Sequence, residues 1–159
     1  MGSGSRLYTV SFTEVAVTAA QDLFEITPAD DKPIAIHGLF FTQSTEIGDA
    51  QEEFIRFQVI RGHTTSGSGG TAPTPVPLNP NDTAAGFTAE VNNTTIASAG
   101  TTTVLHAGTF NERIGLELWL PPEVRWMASQ ANTTLVVRTG TTVADSVTVS
   151  GTLYVEELI

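Results

Sequence analysis

Along Val147-Thr148-Val149-Ser150-Gly151-Thr152-Leu153-Tyr154-Val155 the aliphatic side chains fall on every second residue. A helix cannot gather that period onto one face, whereas a half-buried strand requires it. Tyr8-Thr9-Val10-Ser11-Phe12 repeats the pattern near the other end of the chain. Further strands are predicted over 23–27, 34–43, 54–61, 115–120 and 134–138, separated by turn chemistry such as Pro28-Ala29-Asp30-Asp31-Lys32-Pro33, Pro121-Pro122 and Thr139-Gly140-Thr141. The abundant threonine and valine suit a pleated surface better than a helix, and only 46–54 is expected to form a short helical turn. About eight to ten short strands without an internal repeat or linker predict one all-β domain over 1–159, an antiparallel β-sandwich of jelly-roll type.

One stretch departs from this rhythm. From Arg61 to Phe87 the chain runs through Ser66-Gly67-Ser68-Gly69-Gly70 and then Pro73, Pro75, Pro77 and Pro80, a long Gly/Ser/Thr/Pro-rich loop or arm over 62–87. A connection of that length in a compact domain lies on a neighbour, covers a site or is disordered. The prolines favour an extended form with little left to lose on ordering. Residues 62–87, with an N-terminal arm at 1–7, are therefore expected to make assembly contacts, and Gly67, Gly70, Pro73, Pro75, Pro77 and Pro80 are the candidates within them.

A second irregularity lies in Ile34-Ala35-Ile36-His37-Gly38-Leu39-Phe40-Phe41. Strict alternation places Ile34, Ile36 and Phe40 on one face and Leu39 and Phe41 on the other, so both faces call for burial. Two explanations stand: a central strand whose far side is covered by the long excursion, or a subunit interface carrying Leu39 and Phe41.

Composition excludes several chemistries. Cysteine is absent, so thiolate catalysis and zinc-thiolate sites are excluded. Seven basic residues stand against 17 acidic ones, for a net charge of −10, and the arginines are scattered, so no direct nucleic-acid binding is expected. The N-terminus has no apolar h-region and no apolar run is long enough to span a membrane, which reads as a soluble chain without a secretion signal. His37, His63 and His106 lie far apart without metal-ligand spacing; His63, at the start of the excursion, is the one to follow. The Ser/Gly run has neither the order of a nucleophile elbow nor the lysine of a phosphate loop. Glu46, Asp49, Glu52 and Glu53, Asp30-Asp31 and Glu156-Glu157 read as solvated acidic turns. Trp119 is either second-face core or an exposed anchor. No enzyme activity and no cofactor are indicated.

Three stretches carry a resemblance: Val15-Ala16-Val17-Thr18-Ala19-Ala20-Gln21-Asp22-Leu23-Phe24-Glu25-Ile26-Thr27-Pro28-Ala29-Asp30-Asp31-Lys32-Pro33, Ile60-Arg61-Gly62-His63-Thr64-Thr65-Ser66-Gly67-Ser68-Gly69-Gly70 and Ser150-Gly151-Thr152-Leu153-Tyr154-Val155-Glu156-Glu157. Together they resemble a family of small structural proteins of tailed bacteriophages and prophages. The resemblance implies a virion component made in the bacterial host cytoplasm, a capsid decoration or cement protein. It further implies location on the capsid surface, binding to the major capsid protein or other virion proteins, and a small homo-oligomer with a trimer favoured. It assigns no functional residue. The alternative reading is a tail-associated or lectin-like receptor- or carbohydrate-binding module using Trp119 or Trp126.

Overall fold

The computed structural model describes residues 5–45, 53–129, 134–140 and 146–159. The strands are β1 (Ser5–Val17), β2 (Asp22–Thr27), β3 (Ile34–Gln43), β4 (Phe54–His63), β5 (Val76–Pro77), β6 (Thr88–Asn93), β7 (Thr103–Asn111), β8 (Leu116–Trp119), β9 (Met127–Ala128), β10 (Thr134–Thr139) and β11 (Val147–Leu158). The described residues include no α-helix, only a 3₁₀ turn at Pro122–Val124. The expected helical turn at 46–54 lies largely outside the described residues.

Two antiparallel sheets form a sandwich. The first has the order β5-β1-β11-β3-β8 with β9 also on β3, and the second the order β6-β2-β10-β4-β7. The pairings β1 with β11, β2 with β10, β3 with β8 and β4 with β7 make the chain one long antiparallel ribbon rolled between the sheets. That is the jelly-roll connection expected from the strand spacing. The long excursion sits at the tip of the ribbon, between β4 and β6.

β11 shows why the pattern works, since its residues alternate strictly between buried and half-buried from Val147 to Leu158. Its inward side chains meet Val10, Phe12 and Val17 of β1 and Leu39 and Phe41 of β3 in one continuous core. Phe41 stacks on Phe24 and Phe110, with ring centres 6.0 and 5.7 Å away, and meets Phe57 edge-on. The rings thereby link β3 to β2, β4 and β7 across the sandwich.

The two-faced reading of 34–41 is corrected here. Against β11 the register slips between Tyr154 and Val155, so Gly38 faces Tyr154, Ile36 faces Val155 and His37 is the extra residue. A bulge of one residue resets the alternation. Ile34, Ile36, Leu39 and Phe41 consequently all point inward, and only Phe40 is left on the outer side, half-buried. Leu39 and Phe41 are each 0% exposed, so neither offers a surface to a partner. The supposed N-terminal arm is also corrected in part, because residues 5–7 already belong to β1 and pair with 156–158 of β11.

Candidate functional site

The excursion is built into the sandwich. Its outgoing limb meets residues 91–98, the end of β6 and the stretch after it, through antiparallel bridges between Thr65 and Ser98, Ser68 and Thr95, and Thr71 and Val91. This ribbon covers the outer side of the second sheet, where Ala97 packs with Ile60 and Val136 in a small second core. The middle of the excursion crosses to the first sheet, where Val76 and Pro77 pair with Thr9 and Tyr8 of β1 and the Leu78 amide donates to the Leu7 carbonyl at 2.9 Å. Phe87 then re-enters the main core, its ring edge-on to Tyr8 at 5.5 Å. Covering of a strand's far side by the excursion thus does occur, but over the second sheet and not over β3.

Buried carboxylates hold down this segment and the 91–98 limb bridged to it. Asp22 on β2 accepts the Ala97 amide at 2.7 Å, Glu25 on β2 accepts the Gly67 amide at 3.0 Å, and Glu157 on β11 accepts the Gly86 and Phe87 amides at 2.8 and 2.9 Å. A loop that leaves water must satisfy its backbone donors, and an ionised acceptor does so about twice as strongly as a neutral one. Arg138 completes the Asp22 site: its Nε donates to Oδ1 at 2.7 Å, and its Nη2 reaches Oδ2 at 3.2 Å and the Ala97 carbonyl at 2.9 Å. Glu157, expected as part of a solvated turn, is therefore a buried anchor, whereas Asp30 and Asp31 are exposed.

The glycines of the segment let it lie close. A Cβ on Gly67 would stand 2.5 Å from the Thr95 carbonyl oxygen, and one on Gly70 would collide with the Val91 carbonyl. Among the candidate contacts, Gly67 is buried, Pro73, Pro75 and Pro77 are half-buried against the protein's own sheets, and Gly70 and Pro80 remain exposed.

Glu25 also faces Glu90 across the β2–β6 pairing. The Ser66 hydroxyl lies between them, 2.5 Å from Glu25 Oε2 and 2.9 Å from Glu90 Oε2, and Asn93 donates to Glu90 at 2.9 Å. Burial, then the Glu90 carboxyl, pushes Glu25 up to about 7, against the smaller downward pull of the Ser66 and Gly67 donors. Hydrogen bonding with Glu25 draws Glu90 below its ordinary range. In the unfolded chain Glu25 ionises near 4.5, so the folded state binds the extra proton. Its contribution to stability is full below that pH and is lost as pH rises through about 7. Stability should fall by on the order of 1–3 kcal/mol between about pH 5 and pH 8, and Glu25→Gln, which keeps an acceptor for Gly67, should flatten the decline in urea titrations. An equally steep decline in the variant would show that other groups cause it.

The outer side of the first sheet carries a different constellation. Phe40, Trp119 and Tyr154 lie on the adjacent strands β3, β8 and β11, with ring centres 4.9 Å apart for Phe40 and Trp119, 5.1 Å for Trp119 and Tyr154, and 5.6 Å for Phe40 and Tyr154. Trp119 is 59% exposed, the anchor form of the two readings. Trp126 is buried, so of the two tryptophans only Trp119 offers an open ring. Beside them His37 Nε2 lies 2.6 Å from Glu156 Oε2, and Arg125 stands 3.8 Å from the same oxygen. Burial works to raise the Glu156 carboxyl, but hydrogen bonds from His37 and Ser5 and the charges of His37 and Arg125 outweigh it and hold the group below its ordinary range.

The histidines do not converge. His63 is buried under the excursion, where desolvation and the Arg138 charge lower its pKa. His106 packs between Phe57 and Trp126, at 5.6 and 5.2 Å. Among the described residues no group of three or more His, Asp or Glu side chains is placed to hold a metal ion.

No sequence-family profile matches the chain, and no curated protein does. Solved structures of infectious bursal disease virus particles align over 98% of this chain and 40% of theirs, one at 17% identity and a TM-score of 0.18. Another, of particles derived from a mutant VP2 protein of that virus, aligns with the same coverage at 13% identity and a TM-score of 0.16. Overlap at those scores carries no argument about fold or role.

Proposed function

We propose that the chain is a non-enzymatic virion structural protein, a capsid decoration or cement protein that binds the outer shell and bridges subunits of the major capsid protein or other virion proteins. It acts there as a homo-oligomer, with a trimer favoured. The observation that carries this reading is the clamped excursion, which turns the sandwich edge into a fixed shelf with Val76 and Leu78 exposed at 59% and 51%. Exposed apolar side chains held on an ordered backbone suit a protein contact, because little is left to order on binding. Pro77 in the same edge strand lacks the amide that sheet extension needs, so side chains make the contact. The resemblance to tailed-phage structural proteins supports the same role.

Immunogold labelling of tailed-phage particles from a lysate carrying this gene, with antibody to the purified chain, tests the reading. Label over the heads is the expected result, and retention on particles should drop for Val76→Glu/Leu78→Glu. Recovery of the chain only in the particle-free fraction would overturn it.

A further inference from the structure

We propose that the outer side of the first sheet binds a neutral glycan, with Trp119 as its stacking platform. The indole is exposed yet already fixed, wedged against Phe40 and Tyr154 and lying over Gly38, where a Cβ would come within 2.9 Å of its ring. Gly38 therefore makes room for the ring to rest on the strand. A pre-ordered open aromatic face loses little rotamer freedom when a ligand covers it.

Phe40 continues the platform into a groove of about 290 Å³, whose other lining side chains include Ser11, Thr13, Thr42, Ser150 and Thr152. These hydroxyls stand on the outer positions of β1, β3 and β11, brought side by side by the register Ser11–Thr152–Phe40 across three strands. Each both donates and accepts. Ser150 Oγ already accepts the Glu14 amide at 2.9 Å, which leaves its O–H free to donate. Among the described residues no charged side chain lines the groove, although the chain as a whole carries −10.

An occupant of such a surface needs a flat apolar face for the indole, many hydroxyls and no charge, which is the chemistry of a neutral pyranose chain. A polyphosphate backbone finds no cation lining the groove. An apolar peptide segment would strip water from the hydroxyls without satisfying them. The nearby Glu156 is already engaged by His37 and Arg125, so its charge is compensated at the rim. This proposal stands on a different face from the shelf at Val76 and Leu78 and does not depend on the virion role.

The test is a titration of the full chain with neutral cello-, malto-, manno- and chito-oligosaccharides, followed by tryptophan fluorescence and calorimetry, with oligogalacturonate as the charged control. Trp126 is buried, so a saturable change in emission reports Trp119. At least one neutral series is expected to bind, with affinity falling about tenfold or more in Trp119→Ala and by a smaller factor in Thr152→Val, both variants retaining the parent's thermal unfolding. Absence of saturable binding across the neutral series overturns the proposal, as does binding unchanged in Trp119→Ala. Loss of an oligomer in Trp119→Ala, seen by light scattering without any sugar binding by the parent, would make the platform a protein contact instead.

Discussion

Phe41→Asp is expected to give a chain that does not fold, not a set of dispersed folded monomers. The ring is wholly buried and touches Phe24, Phe57 and Phe110, so its removal alone costs about 3–5 kcal/mol. A carboxylate in the same apolar space costs several kcal/mol more or must take up a proton. Those losses together rival the roughly 5–15 kcal/mol by which a domain is ordinarily stable. The near-ultraviolet circular dichroism should vanish and no cooperative thermal transition should remain. A folded monomer with native spectra would instead restore Phe41 to a subunit interface.

The second large effect is expected at Asp22. Asp22→Ala leaves the Arg138 guanidinium in a largely buried position with only the Ala97 carbonyl as partner, and strands the Ala97 amide. Breaking a buried pair from one side costs about 3–5 kcal/mol, read as a lowered urea midpoint. Because much of that cost is the orphaned cation, Asp22→Ala/Arg138→Ala should lose less than the sum of the single variants. Strict additivity would mean that the two side chains act independently.

The strands with strong alternation were legible from the residues alone. β1, β2, β3, β4, β8, β10 and β11 all contain predicted segments, and the jelly-roll class follows from their spacing. β6 and β7 escaped because edge positions need no clean apolar face: most of β7 is exposed or half-exposed, with Val104 and Thr109 open to solvent. The bulge at His37 could not be counted from side-chain types, although Gly38 within an apolar run was its available signal. Missing it sent Leu39 and Phe41 to the wrong side of β3.

The clamp was hidden for a related reason. Asp22, Glu25 and Glu157 bond to backbone amides tens of residues away, and an amide leaves no mark in a sequence. Their available signal was position, a carboxylate inside the apolar run Leu23-Phe24-Glu25-Ile26 and another two residues after the core residue Val155, on the same face of β11. The Gly/Ser/Pro composition of the excursion left disorder and close cover both open, because glycine permits flexibility and close approach alike. Only the facing carbonyls of Thr95 and Val91 distinguish the two. On the outer side of the first sheet, Trp119 was singled out from alternation, but its partners Phe40 and Tyr154 belong to strands whose order the sequence did not disclose.

Amide hydrogen exchange at Gly67, Gly86, Phe87 and Ala97 tests most directly that the excursion is a fixed part of the sandwich. Protection approaching that of the β11 core at all four amides is the result the clamp predicts. Exchange at rates of an unstructured chain across all four amides would contradict it and return residues 62–87 to a free arm.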